Sequence, residues 1–288
     1  MSGARSWQFL DGIWLASLVV LAVVATRGAW TDIVGVAIHS DEQSHILLGL
    51  PIAVWLAWIR RDRLRYCRPR RTWWGLVAIV AGYALAWGGF NFGIEVAWHL
   101  GALIIVCGAG LTVLGPSFIV PFLPALGALL FLMPVPGRIR QEIAIPLQQA
   151  SARVAQFGLD LIGLPVTRAG NILTINGYEV AIAEACNGMR MVAALGLVAF
   201  AFIFTVPMRS SVRLLILAVS PLVALIVNIV RLVPTALLYG YSEKSTADLF
   251  HELSGWGVLV LALGLLWCLL ALLRWIEVPI APYGVAEE

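Results

Sequence analysis

The sequence is poor in charge. Asp, Glu, Lys and Arg make up only 12% of its 288 residues, and hydrophobic residues make up 61%. Soluble globular domains carry about 25% charged residues. No stretch of domain length has a soluble composition, which excludes a soluble domain with a single anchor. The composition predicts an integral membrane protein with lipid as its main surroundings.

Lysine is almost absent, since Lys244 is the only one among the 19 basic residues. The one dense basic cluster, RRDRLRYCRPRR, occupies residues 60–71 and lies between two apolar runs. Because this cluster connects two predicted membrane spans, nucleic acid is not predicted as a partner.

Cysteine is scarce too, and no two cysteines have C-x-x-C spacing, so neither a zinc site nor a disulfide framework is predicted. No cofactor is expected. The four cysteines are Cys67, Cys107, Cys186 and Cys268. Cys107 and Cys268 lie inside apolar runs, where a cysteine is usually a small packing residue.

Eight apolar runs are long enough, or nearly so, to cross a membrane. They lie at about 9–27, 46–59, 73–92, 96–114, 117–134, 188–207, 214–238 and 255–274. The fold class predicted is therefore an all-α polytopic membrane protein in one integral domain, residues 1–288. It divides into spans one to five (9–134), an outer-face segment (135–185) and spans six to eight (186–275).

Arginine counts in the short loops give the orientation, because cytoplasmic loops are enriched in basic residues. The loop at residues 60–71 has seven arginines, and Arg5, the segment PMRSSVR and Arg274 fall on the same side. We therefore expect both termini to be cytoplasmic. A bacterial inner membrane is the expected location, with the segment 135–185 on its outer, periplasmic face.

The outer segment has two parts. In GRIRQEIAIPLQQASARVAQFGLDLIGLP the apolar positions have helical spacing, which predicts an amphipathic helix along the membrane surface with a break at Pro146. A ninth span is disfavoured by the interrupting charges. The predicted apolar face comprises Ile139, Ile143, Leu147, Val154 and Leu161. The second part, ILTINGYEVAI, predicts a small β-hairpin with its turn at Asn176-Gly177.

The segment AEACNGMRM, which follows the hairpin, places a thiol among polar groups at the start of span six. Cys186 is the candidate nucleophile, because a helix N-terminus and nearby cations favour a thiolate. Arg231 in span seven is a candidate oxyanion binder, and His251 before span eight is a candidate acid and base. Taken singly, Cys186 and His251 are typical packing and interfacial residues, and the alternative role for Arg231 is to snorkel to the headgroups. Supporting roles are expected for Glu184, Asn187, Arg190 and Asn228.

The motif EACNGMR, followed by NIVR and a histidine before the last span, resembles the exosortase/archaeosortase family of membrane transpeptidases. MPVPGRIRQEIAIPLQ and GLPVTRAGNILTINGYEVAIAEAC precede it in the order that the resemblance implies. The resemblance implies a site of Cys186, Arg231 and His251. Such a site cleaves the C-terminal sorting signal of an exported protein and holds the acyl fragment as a thioester.

Asn187 stands where the family usually has serine, which leaves the subfamily and the sorting motif open. Two rival functions also remain open. One is a non-enzymatic membrane component, either a transporter or an assembly factor for polysaccharide export. The other is a membrane acyltransferase that uses the same thiol. A transporter is disfavoured because polar groups collect at one surface instead of the middle of the membrane.

Overall fold

The computed structural model describes residues 8–67, 72–181 and 188–276. Within these ranges the chain forms ten α-helices and one three-stranded sheet. It divides into two compact units, Met1–Pro136 and Gly137–Glu288. The predicted all-α membrane class is confirmed. Four helices are long and apolar enough to cross a membrane, or up to six if each of two bent helix pairs forms one span.

The predicted count of eight spans is not reproduced by helix length. α3 and α6 coincide with the predicted second and fifth spans, but they have only 13 and 11 residues. About 20 helical residues are needed to cross the hydrocarbon core. α3 is short because its apolar run is itself short, whereas α6 is flanked by 3₁₀ turns at 116–118 and 130–132 that take up the rest of its run.

The first unit contains helices α1–α6. Their bounds are Phe9–Ala25, Arg27–His39, Ile46–Trp58, Trp73–Asn91, Glu95–Leu114 and Ile119–Leu129. α4 and α5 pack closely because glycines lie at their contact. A Cβ atom on Gly82 would lie only 2.9 Å from the carbonyl oxygen of Gly101.

The second unit begins with α7, Gly137–Leu161. The strands follow as β1 (Val166–Ala169), β2 (Ile172–Ile175) and β3 (Tyr178–Ala181), and the unit ends with α8 (Gly188–Thr205), α9 (Ser210–Tyr241) and α10 (Lys244–Trp275). The sheet is antiparallel in the order β1-β2-β3. Asn176 and Gly177, which connect β2 to β3, both have positive φ, at 52° and 82°. Two-residue hairpin turns of type I′ require this combination.

α9 connects two separate apolar cores. Its first half packs with α8 and α10 around residues such as Leu195, Ile216 and Leu266. Its second half packs with α7 and the sheet around Leu159, Leu173, Ile175, Leu232 and Ala236. The buried positions of α9 recur every three or four residues, as expected of a helix with one apolar stripe. Polar residues interrupt this stripe where the two cores meet.

α7 differs from its prediction in one respect. It is one continuous helix through Pro146. The proline removes one N–H bond to the carbonyl of Glu142, a residue that is exposed and open to hydration. On the predicted apolar face, Ile139, Ile143 and Val154 are about half exposed, which is compatible with a helix that turns this face to lipid. A face of small residues, Ala144, Ser151, Ala152 and Ala155, is buried instead.

Candidate active site

The candidate site lies inside a pair of antiparallel helices. α9 ends at Tyr241 and α10 begins at Lys244, so only Ser242 and Glu243 connect them. His251 was predicted to precede the last span, but α10 has already begun seven residues earlier. The helix is longer than the predicted span because it includes polar first turns that precede the apolar run.

Arg231 is the centre of the site. Its side chain is only 7% exposed. Its Nε donates to Oγ of Ser254 at 2.8 Å, and its Nη2 donates to the carbonyl oxygen of His251 at 2.8 Å. Nη2 is also 3.2 Å from Nδ1 of the His251 imidazole. The planar guanidinium is therefore fixed against one turn of α10.

This contact determines the tautomer of His251. A guanidinium has only donors, so Nδ1 of His251 is the acceptor in the 3.2 Å bond. A neutral imidazole that accepts at Nδ1 carries its proton on Nε2. In this arrangement Nε2 is the donor nitrogen of the ring.

Ser254 is the member of the site that was not predicted from the sequence. Its Oγ accepts from Arg231 and donates to the carbonyl oxygen of His251 at 3.1 Å. It therefore bridges the cation and the backbone of the histidine turn. Its spacing of three residues after His251 places both on one helical face, and this spacing is the signal that would have found it.

Two more polar residues lie along α9 beside Arg231. Thr235 is fully buried, and its Oγ1 donates to the carbonyl oxygen of Arg231 at 2.8 Å. Asn228 is 2% exposed, and its Oδ1 has no hydrogen-bond partner within residues 8–67, 72–181 and 188–276. A buried amide oxygen without a partner costs free energy of folding. Asn228 therefore offers an acceptor one helical turn from the guanidinium.

Residues 30–268, which are most of the chain, match the sequence model of the transmembrane exosortase family. The chain belongs to the transmembrane exosortase family. It matches no curated protein and no solved structure. The family match includes α7, the sheet and the Arg231–His251 turn pair, so the suspected membership is confirmed.

The other predicted site residues of this exosortase-family chain are mostly not among the residues that the structure describes. Cys186, Glu184 and Asn187 lie outside the described residues. Arg190 lies in the first turn of α8. The structure thus brings together Arg231, His251 and Ser254 and leaves the position of the candidate thiol a prediction. Along the chain, Cys186 comes two residues before α8 and five after β3.

The described part of the chain contains no group of three His, Cys, Asp or Glu side chains that would hold a metal ion. The other three cysteines are free thiols: Cys67 is buried, Cys107 half-buried and Cys268 exposed. None of these three contacts the Arg231 site in the described hydrogen bonds.

Proposed function

We propose that this membrane protein is a cysteine peptidase and transpeptidase that cleaves C-terminal sorting signals of exported proteins. Cys186 is the nucleophile, Arg231 stabilises the oxyanion, and His251 transfers the proton. The supporting observation is the buried guanidinium of Arg231, held 3.2 Å from the His251 imidazole on a neighbouring helix. A charge within a membrane helix is expensive and is usually functional.

The chemistry proceeds by acyl transfer. The Cys186 thiolate attacks the carbonyl carbon of the scissile peptide, a C–S bond forms, and the oxygen takes up negative charge. The thiol proton, carried by His251, passes to the departing amine as the C–N bond breaks. A thioester remains on Cys186. An acceptor amine or water then attacks this thioester and releases the acyl fragment, and the proton it loses restores the thiol.

The observed hydrogen bonds of Arg231 support a definite role for it in this reaction. While Nη2 donates to Nδ1 of His251, that nitrogen has no lone pair for a thiol proton. In the proposed mechanism Nη2 turns from His251 to the substrate oxyanion. The bond from Nε to Ser254 keeps the guanidinium in place during this exchange. Substrate binding thereby releases the base at the moment when the oxyanion needs its donor.

Helix length supports a site at the outer boundary of the membrane. Arg213 and Arg274 lie near the opposite ends of α9 and α10, on the side expected to be cytoplasmic. At 1.5 Å per residue, Arg231 lies about 27 Å and His251 about 35 Å along their helices from these arginines. The hydrocarbon core is about 30 Å thick. Both residues therefore fall near its far edge.

The proposal is tested by substitution of the thiol. Cys186→Ala and Cys186→Ser should each abolish cleavage of an exported reporter that ends in a short motif, a hydrophobic span and a basic tail encoded in the same genome. The ratio of cleaved to full-length reporter on a blot is the measurement, at matched enzyme abundance. Cys107→Ala and Cys268→Ala are matched controls and should cleave normally. Cleavage by Cys186→Ala at the wild-type rate would refute the thiol mechanism.

A further inference from the structure

β3 is an edge strand with backbone groups that point away from the sheet. It pairs with β2 in the register Ile175↔Tyr178 and Leu173↔Val180. The pair that closes a two-residue hairpin exchanges both hydrogen bonds, and in an antiparallel ladder this alternates along the strands. Tyr178 and Val180 therefore bond to β2. The N–H and C=O groups of Glu179 and Ala181 point toward the other edge.

The opposite edge of the sheet, β1, follows the same alternation, and one of its outward backbone groups is hydrogen-bonded to α7. On β1 the same reasoning directs the backbone of Val166 and Arg168 outward. The carbonyl oxygen of Val166 indeed accepts from Nε2 of Gln156 on α7, at 3.3 Å. The Arg168 side chain donates to Oε1 of Gln156 at 3.2 Å. α7 thus closes the β1 edge, and no described strand or helix pairs with the backbone of the β3 edge.

A groove lies along the β3 edge instead. Its volume is about 680 Å³, which is within the usual range of ligand sites. All four residues of β3 line one side, and the end of α9 and the start of α10 line the other. The residues on the second side are Tyr239, Ser242, Glu243, Lys244 and Asp248. Tyr239 donates to Oδ1 of Asp248 at 2.8 Å, which connects the two helices within this second side.

The groove lies close along the chain to the residues of the candidate active site. Asp248 lies one helical turn before His251 on α10. Ala181, the last residue of β3, precedes Cys186 by five residues in the sequence. A substrate segment along β3 would therefore lie beside the part of α10 that leads to His251.

We propose that an extended segment of the substrate, next to its cleavage site, binds along β3 as a fourth strand of the sheet. This inference rests on the proposed peptidase function and names how that site holds its substrate. Outward N–H and C=O groups two residues apart match only an extended backbone, because a helix uses its own groups internally. Three carboxylates and one ammonium line the groove, so a neutral or basic segment is favoured over an acidic one.

Proline at position 179 tests the backbone contact. The N–H of Glu179 points out of the sheet, so Glu179→Pro removes it without breaking the ladder to β2, and edge strands tolerate proline there. Glu179→Ala is the matched control, because it loses the side chain and keeps the N–H. Glu179→Pro should lower the rate of reporter cleavage at subsaturating substrate about fivefold or more, as expected for one lost backbone bond. This fall is measured against Glu179→Ala, which has lost the same groove carboxylate, so the difference between the two variants reports the N–H group alone.

Photo-crosslinking separates binding from cleavage. Benzoylphenylalanine replaces Tyr178 in the groove or, as a control, Phe157 on α7; the two side chains are 63% and 64% exposed. In a Cys186→Ala background the reporter should crosslink at position 178 and not at 157. Addition of Glu179→Pro should reduce the crosslinked band.

The outcomes of the two experiments are distinct. Normal cleavage by a stably folded Glu179→Pro enzyme, together with an unchanged crosslink at position 178, would overturn strand addition and leave the peptidase proposal intact. An intact reporter in cells with wild-type enzyme would instead overturn the peptidase proposal, and strand addition with it.

Discussion

Replacement of Arg231 by lysine tests whether the planar guanidinium or only its charge matters. Arg231 uses two nitrogens, Nε toward Ser254 and Nη2 toward His251. Lysine keeps the charge but has one nitrogen. One nitrogen cannot keep the hydrogen bond to Ser254 while it also moves from His251 to the substrate oxyanion, as the proposed mechanism requires.

The magnitude follows from these contacts. Loss of one hydrogen bond to a charged group costs about 1.5–3 kcal/mol, and loss of an oxyanion donor typically lowers kcat about a hundredfold or more. We expect Arg231→Lys to insert normally and to cleave the reporter at least a hundredfold more slowly, with Arg231→Ala slower still. Ser254→Ala keeps the cation and removes one partner, so a fall of about tenfold is expected.

The assay is the initial rate of reporter cleavage in membranes with matched enzyme abundance. The melting temperature of each purified variant in detergent serves as the folding control. A lysine that merely reached the lipid headgroups would support normal cleavage. Wild-type activity in Arg231→Lys would therefore refute the proposed exchange of Nη2 from His251 to the oxyanion. Wild-type activity in Ser254→Ala would refute the positioning role of the serine.

Two further predictions concern packing and orientation. A Cβ on Gly240 would lie 2.6 Å from Cγ2 of the buried Ile175, so Gly240→Ala should lower the free energy of unfolding by about 1–3 kcal/mol. A Cβ on Gly196 would meet no atom within 4 Å, so Gly196→Ala should leave the stability unchanged. The melting temperatures of the two variants measure the difference. For orientation, Cys67 is a poor probe because burial raises the pKa of its thiol, which lowers the reactive thiolate fraction at a given pH. Arg63, four residues earlier, is exposed. A cysteine introduced there by Arg63→Cys, in a Cys67→Ala background, should react with an impermeant maleimide only after the membrane is permeabilised. Reaction in intact spheroplasts would show that the topology is the inverse of the proposed one.

The sequence was sufficient for those features that local patterns determine. The hydrophobic fraction predicted a helical membrane protein. The spacing of Arg231 and His251 on consecutive antiparallel helices predicted their proximity, which is observed at 3.2 Å. The prediction needed only that consecutive spans are antiparallel and that both residues lie near their outer ends, and both points follow from the order of the apolar runs.

Features that depend on tertiary packing could not be predicted in the same way. The sequence did not show which side of α7 packs within its unit: the small residues Ala144, Ala152 and Ala155 are buried, whereas the larger Ile139 and Ile143 are about half exposed. The apolar run of the last span likewise starts later in the sequence than the helix that contains it. The polar turn from Lys244 to His251 is helical because α9 packs beside it, which no local signal records.

The two 32-residue helices are longer than the hydrocarbon core is thick, so part of each extends beyond the membrane. In the proposed orientation, the portion of α9 from Arg231 to Tyr241 stands about 15 Å above the hydrocarbon boundary. The hairpin is attached to its tip, where Nδ2 of Asn176 donates to the carbonyl oxygen of Gly240 at 3.2 Å. An extended peptide covers that height with four or five residues at about 3.3 Å each. In the proposed mechanism, about four or five extended substrate residues therefore separate the backbone bound at the helix tip from the bond that is cut beside Arg231.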